Sequence, residues 1–283
     1  MLLKDFLSQC IELLTEKKIS NAKYDVESIV AKHLEVKRST IVLYYKQYLS
    51  NELIKKITYD INLRAQNFPL QYIIGDVDFY NVTLKVTPDV LIPRHETEEL
   101  VEFLCKKISQ EYDLNSLNIL DLGTGSSAIS LSLAKNFPKS NVFAVEFSEK
   151  ALKIAKKNAE LNNIKNVQFI HSDWFTNVPI NLKFDVIVSN PPYLTENEWE
   201  SAQPEVKIYE PKSALTANND GLEDIEKIIN DSQKFLHKHS LLAIETGVNH
   251  CDILQTKYEK LFKKVSILKD LYGRNRFFIG EKF

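Results

Sequence analysis

ILDLGTGSSAI, residues 119–129, is an apolar run entering a helical pattern through Gly123-Thr124-Gly125. A strand that turns into a helix over small residues brings backbone N–H groups and a helix N-terminus up to a ligand. Gly123 permits the tight turn, and Gly125 permits close approach. The next apolar run, NVFAVEF (141–147), carries Glu146 at its end, 21 positions after Gly125. An acid there can accept hydrogen bonds from ribose hydroxyls. The two features together call for a nucleoside-containing cofactor at the carboxyl edge of a sheet. Gly123-x-Gly125-x-x-Ala128 also satisfies the dinucleotide fingerprint. Asp121 tilts the choice, because a carboxylate repels a pyrophosphate and attracts the ammonium of S-adenosylmethionine.

Working outward, further strands are expected at VQFIHS (167–172), FDVIVS (184–189), SLLAIET (240–246), KVSILKD (264–270) and RFFIG (276–280). Helical patterns such as SSAISLSLAKNF and SEKALKIAKKNAELNN separate the earlier strands. Alternating strands and helices predict an α/β fold with a mostly parallel sheet covered on both faces.

Residues 1–67 read as helices, with Leu3, Phe6, Leu7, Cys10, Ile11 and Leu14 at helical spacing and Ser50 as an N-cap for a later helix. This segment holds 11 Lys/Arg against 8 Asp/Glu, which reads as an ordinary solvated surface. Pro69 ends the helical run. Residues 71–92 (QYIIG, DFYNVTLKV, VLIP) read as extended, a hairpin linker with Asn81 in its turn. The expected organisation is a helical domain over 1–67, a hairpin linker over 68–93 and a catalytic domain over 94–283.

FDVIVSNPPYL (184–194) carries the sharpest chemical signal. The strand ends in Asn190-Pro191-Pro192-Tyr193. Two prolines fix two φ angles, and Pro191 holds Asn190 extended. The stiff loop stands where ligands bind in open α/β sheets. The Asn190 amide oxygen and the Pro191 carbonyl are two acceptors beside the flat ring of Tyr193. That set suits a planar NH₂ group whose nitrogen attacks a methyl, by proximity and differential stabilisation of the transition state.

These residues resemble a class I S-adenosylmethionine-dependent methyltransferase of the NPPY type. PLQYIIGDVDFYNVTLKVTPDVLIPRHETEELVE (69–102), SDWF (172–175), EVKIYEPKSAL (205–215), DGL (220–222), ETG (245–247) and DLYGRNRF (270–277) are similar, in order and spacing, to the HemK (PrmC) family, the release-factor glutamine N5-methyltransferases. The resemblance implies a Rossmann-like seven-stranded sheet. It also implies methylation of the glutamine in the Gly-Gly-Gln motif of peptide chain release factors, which modulates translation termination. It places Gly123, Thr124, Gly125, Ser126 and Ser127 along the cofactor, Glu146 on its ribose, and Asp173 and Trp174 beside its adenine. Asn190, Pro191, Pro192 and Tyr193 would bind the glutamine amide. Asn190, Pro191 and Tyr193 would carry catalysis, with Asn190 also near the reactive methyl. The N-terminal helices would contact the release factor. The chain departs from the family with Ser127 where glycine is usual, Glu146 where Asp is usual, and His250 where glutamine is common.

Composition narrows the alternatives. Of 283 residues 44% are hydrophobic and 26% charged, as in a globular protein. Glycine occurs only seven times, so the chain keeps it mainly where other residues do not fit. A net charge of -2 speaks against a polycation that coats nucleic acid. Cys10, Cys105 and Cys251 suggest neither a disulfide framework nor a metal spacing, and the start MLLKDFLSQC lacks a signal-peptide core. The expectation is a cytoplasmic monomer with no metal, no membrane segment and no direct nucleic-acid binding. His95 reads as a surface residue at a helix start, Thr97 as a contact near the cofactor suggested by the resemblance, and Arg274 and Arg276 as structural. Two rivals are an NPPY enzyme acting on a base amine of DNA or RNA and a nicotinamide-dependent oxidoreductase. A third is a non-catalytic binder of translation factors. The oxidoreductase would leave the Asn190–Tyr193 element unexplained.

Overall fold

The computed structural model describes residues 1–282, and the chain divides into two compact units. The first comprises Met1–Asp76 with Gln203–Tyr209. Helices α1 (Leu3–Glu16), α2 (Ala22–Leu34), α3 (Asn51–Ala65) and α4 (Leu70–Ile74) enclose Leu3, Phe6, Leu14, Val26, Ile29, Ile57 and Ile61. Ser50 caps α3 by accepting from the Leu53 N–H at 3.2 Å. Arg64 is buried and compensated, 2.6 Å from Asp25 and 2.9 Å from Glu205.

One element differs from the expectation. QYII is part of helix α4, not extended chain. Its β-branched residues gain more from packing, with Tyr72 and Ile73 buried, than strand propensity offers. Pro69 opens this helix, and Gly75, at φ +90°, closes it.

The second unit comprises Val77–Ala202 and Glu210 onward. A two-stranded sheet, β1 (Asp76–Phe79) and β2 (Val82–Lys85), turns at Tyr80-Asn81. The main sheet contains β3 (Asn118–Leu122), β4 (Asn141–Glu146), β5 (Val167–His171), β6 (Phe184–Ser189), β7 (Leu236–Glu245), β8 (Lys264–Lys269) and β9 (Asn275–Glu281), in the order β5-β4-β3-β6-β7-β9-β8. All seven expected strands are present. The first five are mutually parallel, and β9 runs antiparallel to both β7 and β8.

Residues alternate between the two faces with the period of two that a pleated strand imposes. Ile119, Val186, Val188, Leu241 and Ala243 pack with α5 (His95–Glu111) and α6 (Ala128–Asn136). Leu120, Leu122, Ile187, Leu242 and Ile244 face the other way, toward Ile225 and Ile229 and toward Leu254. Helix α7 (Glu149–Leu161) follows β4. Short helix α8 (Glu196–Glu200) and the single turn α10 (Asn218–Gly221) follow β6, while α9 (Pro204–Tyr209), between them in the chain, belongs to the first unit. Helix α11 (Glu223–Ser232) precedes β7, and α12 (Cys251–Tyr258) follows it. Among the described residues no helix is long and apolar enough to cross a membrane.

The register explains what stands at the carboxyl edge. Asn190 lies two positions beyond Val188, and Glu245 two beyond Ala243. Both continue the face covered by α5. The chain order reverses beside β3, and the crevice outside such a switch point is where open α/β sheets bind ligands.

Candidate active site

The turn after β3 is built around a buried acid. Asp121 Oδ2 accepts from Thr124 Oγ1 at 2.5 Å and from the Ser130 N–H at 3.1 Å. Its Oδ1 is buried, with no hydrogen-bond partner among the described residues. Burial pushes the Asp121 carboxyl up to about 6, against the hydroxyl and backbone donors that lower it. A buried carboxylate with a free oxygen beside the turn matches a ligand that brings an ammonium group.

Gly123 stands at φ +69°, and a Cβ there would lie 3.2 Å from Trp174 Cζ3. The Trp174 ring therefore lies over the turn, and its indole N–H donates to Asp224 Oδ1 at 3.0 Å. The Gly125 N–H donates to Glu146 Oε2 and the Ser148 N–H to Glu146 Oε1, each at 2.8 Å. The longer Glu146 side chain is thus fixed at the end of β4, half-buried, with lone pairs remaining for further donors. Its extra methylene is accommodated. Ser126 is buried, and its carbonyl accepts from Asn158 Nδ2 at 2.9 Å. Asn158 also takes the Lys85 N–H at 2.7 Å and donates to the Lys85 carbonyl at 3.1 Å, which ties the turn to β2.

Two further residues expected on the cofactor side have partners of their own within the protein. Ser127 is fully buried, in the left-handed region at φ +71°, 2.6 Å from Ser130 Oγ. Its side chain supports the turn from within and presents no surface to its outer side. Asp173 is exposed and paired with Lys227 at 3.0 Å.

The Asn190–Tyr193 loop is anchored on every side. Ser189 Oγ donates to the Leu122 carbonyl at 2.7 Å, joining the ends of β6 and β3. The Tyr193 and Leu194 N–H groups donate to the Leu215 carbonyl at 3.1 and 2.8 Å. Asn190 Nδ2 donates to Thr97 Oγ1 at 3.0 Å, and Thr97 Oγ1 donates to Glu245 Oε2 at 2.7 Å. Tyr193 donates its O–H to Glu245 Oε1 at 3.2 Å, and Arg276 Nη2 donates to the Tyr193 oxygen at 2.7 Å and to Glu245 Oε1 at 3.1 Å. Glu245 has no exposed surface. Burial raises its carboxyl above the usual range, and the Arg276 charge opposes that. Pro191 is buried, while Asn190, Pro192 and Tyr193 are half-exposed.

The turn α10 packs directly against this loop. A Cβ on Gly221, at φ +82°, would lie 2.1 Å from the Tyr193 carbonyl oxygen and 2.8 Å from His250 Cε1. His250 is buried, and its Nε2 is 2.9 Å from the Asp220 carbonyl. The imidazole thus occupies the place of the family's common glutamine as a spacer between the turn and α12.

The structure brings together Gly123, Thr124, Gly125, Glu146 and Trp174 at one part of the carboxyl edge, and Asn190 and Tyr193 at the end of the adjoining strand β6. Sequence reasoning missed Glu245 and Asn158 and gave Arg276 a generic structural role. Glu245 carried the same signal as Glu146, an acid closing an apolar strand. Asn158 sits inside a helix and carried none.

A PrmC N-terminal domain model matches residues 5–75, and a methyltransferase domain model matches residues 113–274. The chain is 38% identical over 280 residues to the release factor glutamine methyltransferase of Fusobacterium nucleatum, covering 98% of this chain and 78% of the relative. It is 37% identical to that of Buchnera aphidicola (Acyrthosiphon pisum), covering 100% and 99%. It is 42% identical to that of Thermodesulfovibrio yellowstonii, covering 78% and 79%. The hMettl16 catalytic domain in complex with MAT2A 3'UTR hairpin 6 superposes with a TM-score of 0.57 at 19% identity, covering 79% of this chain and 82% of that one. A methyltransferase from Pyrococcus furiosus superposes with a TM-score of 0.52 at 20% identity, covering 71% and 89%. These two share the fold. The unpartnered carboxylate oxygen of Asp121 fits the ammonium of S-adenosylmethionine, and Glu146 fits its ribose. The chain is an S-adenosylmethionine-dependent methyltransferase and belongs to the release factor glutamine methyltransferase family.

Proposed function

We propose that this chain transfers a methyl group to the side-chain amide nitrogen, N5, of the glutamine in the Gly-Gly-Gln motif of peptide chain release factors, and so modulates translation termination. The observation that carries the reading is the loop at the end of β6. Asn190 commits its Nδ2 to Thr97, and the rigid backbone of Pro191 and Pro192 follows. The free amide oxygen of Asn190 and the Pro191 carbonyl accept the two N–H groups of the glutamine amide. Tyr193, held through its hydroxyl by Arg276 and Glu245, keeps its ring against the amide plane.

S-adenosylmethionine supplies an electrophilic methyl on a sulfonium. The glutamine nitrogen, held by Asn190 and Pro191, would take up that methyl and release one N–H proton to solvent. Asn190 and Pro191 stabilise this step because their acceptors strengthen as positive charge develops on the nitrogen. Asp121, Gly123, Thr124, Gly125, Ser126, Glu146 and Trp174 form the cofactor side, with Ser127 and Asp173 as supporting neighbours. No strong base is required.

The helical unit, residues 1–76 with 203–209, is assigned to release-factor contact, and the second unit, beginning with the β1–β2 hairpin, to catalysis. Leu43, Tyr48 and Tyr59 of that unit are exposed apolar groups, which supports this assignment. A cytoplasmic monomer without direct nucleic-acid binding accords with the net charge of -2. The relatives' names favour a glutamine over a base amine. Incubation with S-adenosylmethionine and purified release factor, followed by mass spectrometry, should add one methyl to the Gly-Gly-Gln peptide. Methylation elsewhere, with that peptide unmodified, would overturn the reading.

A further inference from the structure

We infer that Glu245 and Thr97 are positioning residues: a hydrogen-bond relay of one polarity, starting at the Glu245 carboxylate, holds the Asn190 amide with its oxygen toward the substrate nitrogen. The inference rests on the reading of Asn190 as an acceptor for the glutamine amide.

The Thr97 hydroxyl has one proton and two polar neighbours, Glu245 Oε2 at 2.7 Å and Asn190 at 3.0 Å. A carboxylate only accepts, so the proton goes to Glu245. Thr97 can then only accept from Asn190, which must offer it the NH₂ side of its amide. The amide oxygen lies on the opposite side, with no hydrogen-bond partner among the described residues. The other Glu245 oxygen faces donors alone, the Tyr193 hydroxyl and Arg276 Nη2. Arg276 also donates to the Tyr193 oxygen, which leaves the tyrosine proton for Glu245. Both ends of the Asn190–Tyr193 loop therefore take their polarity from one fully buried carboxylate.

A glutamine at 245 would keep the shape and reverse the relay. Arginine can only donate, so the glutamine oxygen would face Arg276 and Tyr193 and its NH₂ would face Thr97. The Thr97 proton would then turn to Asn190, and the Asn190 amide would turn over. An NH₂ group would be presented to the substrate NH₂, two donors facing each other.

The test is single-turnover methylation of a purified release factor by Glu245→Gln, Thr97→Val, Thr97→Ser, Asn190→Ala and the Glu245→Gln/Thr97→Val double variant. Cofactor affinity is measured by calorimetry, and folding by thermal melting. Glu245→Gln is expected to slow methyl transfer about 100-fold, as a misplaced reacting group does, with cofactor affinity unchanged. Thr97→Ser should keep the wild-type rate. The double variant should be faster than Glu245→Gln alone, because without the Thr97 hydroxyl nothing turns the Asn190 amide the wrong way. A merely structural role predicts the reverse, a double variant slower than either single one, and that result would overturn the relay. So would a near-normal rate in Glu245→Gln alongside an inactive Asn190→Ala, which leaves the reading of Asn190 standing. An active Asn190→Ala overturns that reading itself. Should Glu245→Gln fail to fold, the Thr97 pair decides: a slow valine variant beside a normal serine variant supports the relay, and equal rates refute it.

Discussion

Replacing Gly221 with alanine perturbs the catalytic loop from behind. The added Cβ would lie 2.1 Å from the Tyr193 carbonyl oxygen, where a carbon–oxygen contact needs about 3.3 Å. Either α10 or the Asn190–Tyr193 loop must yield by about 1 Å. Alanine at φ +82° also costs about 1 kcal/mol of backbone strain, and overpacking costs about 1–3 kcal/mol. A total near 3 kcal/mol lowers the melting temperature of a unit this size by roughly 6–12 °C. The loop residues bear on the reacting nitrogen, so a shift of about 1 Å also slows methyl transfer about 100-fold. Calorimetry and single-turnover methylation read the two effects separately. Gly273→Ala is the control: its φ is +79°, but among the described residues, its chain neighbours aside, nothing lies within 4 Å of its Cβ, so it bears the strain alone and should keep its rate. A Gly221→Ala protein that melts and turns over like Gly273→Ala would refute the close-approach argument.

The buried carboxyl of Asp121 makes a pH prediction. Its folded value of about 6 exceeds the ordinary 3.8, so the folded state holds the proton more tightly. This group's contribution to stability is fullest at acid pH and is lost as pH rises from about 4 to 6, up to about 3 kcal/mol. Asp121→Asn should therefore melt higher than wild type at pH 8 but bind S-adenosylmethionine at least about tenfold more weakly, having lost a charge-assisted contact. Wild-type affinity should fall as pH drops through about 6, and the variant's should not; a flat wild-type profile counts against an ammonium at Asp121. Asn158→Ala leaves the Lys85 backbone and the Ser126 carbonyl without their side-chain partner. It should cost about 3 kcal/mol in a denaturant titration, and a change under about 0.5 kcal/mol would exclude the tie. Ser127→Gly exchanges about 1 kcal/mol of left-handed strain for a lost hydroxyl contact of similar worth. Stability and cofactor affinity should both stay near wild type, and a large gain in affinity would show that Ser127 narrows the site.

The amino-acid sequence by itself determined the seven strands of the main sheet, because burial writes apolar runs such as FDVIVS directly into neighbouring residues. It also located the Gly123–Gly125 turn and the Asn190–Tyr193 loop, since glycine and proline constrain the backbone at their own positions. QYIIG reads as extended because three apolar residues, Tyr72, Ile73 and Ile74, are too few to show a period, and only their packing makes the segment a helix. Ser127 carries no mark in the sequence of the φ +71° and full burial that turn it inward. The relay from Glu245 through Thr97 to Asn190, with Arg276 and Tyr193 beside it, joins α5, the ends of β6 and β7, and the start of β9. Those residues are up to 179 positions apart in the chain, and nothing local relates them. They meet because β6 pairs with β7, β7 pairs with β9, and α5 covers the same face. Local periodicity depends on adjacent residues and is visible in the chain, whereas the polarity of a hydrogen-bond relay depends on partners that only the sheet order brings together.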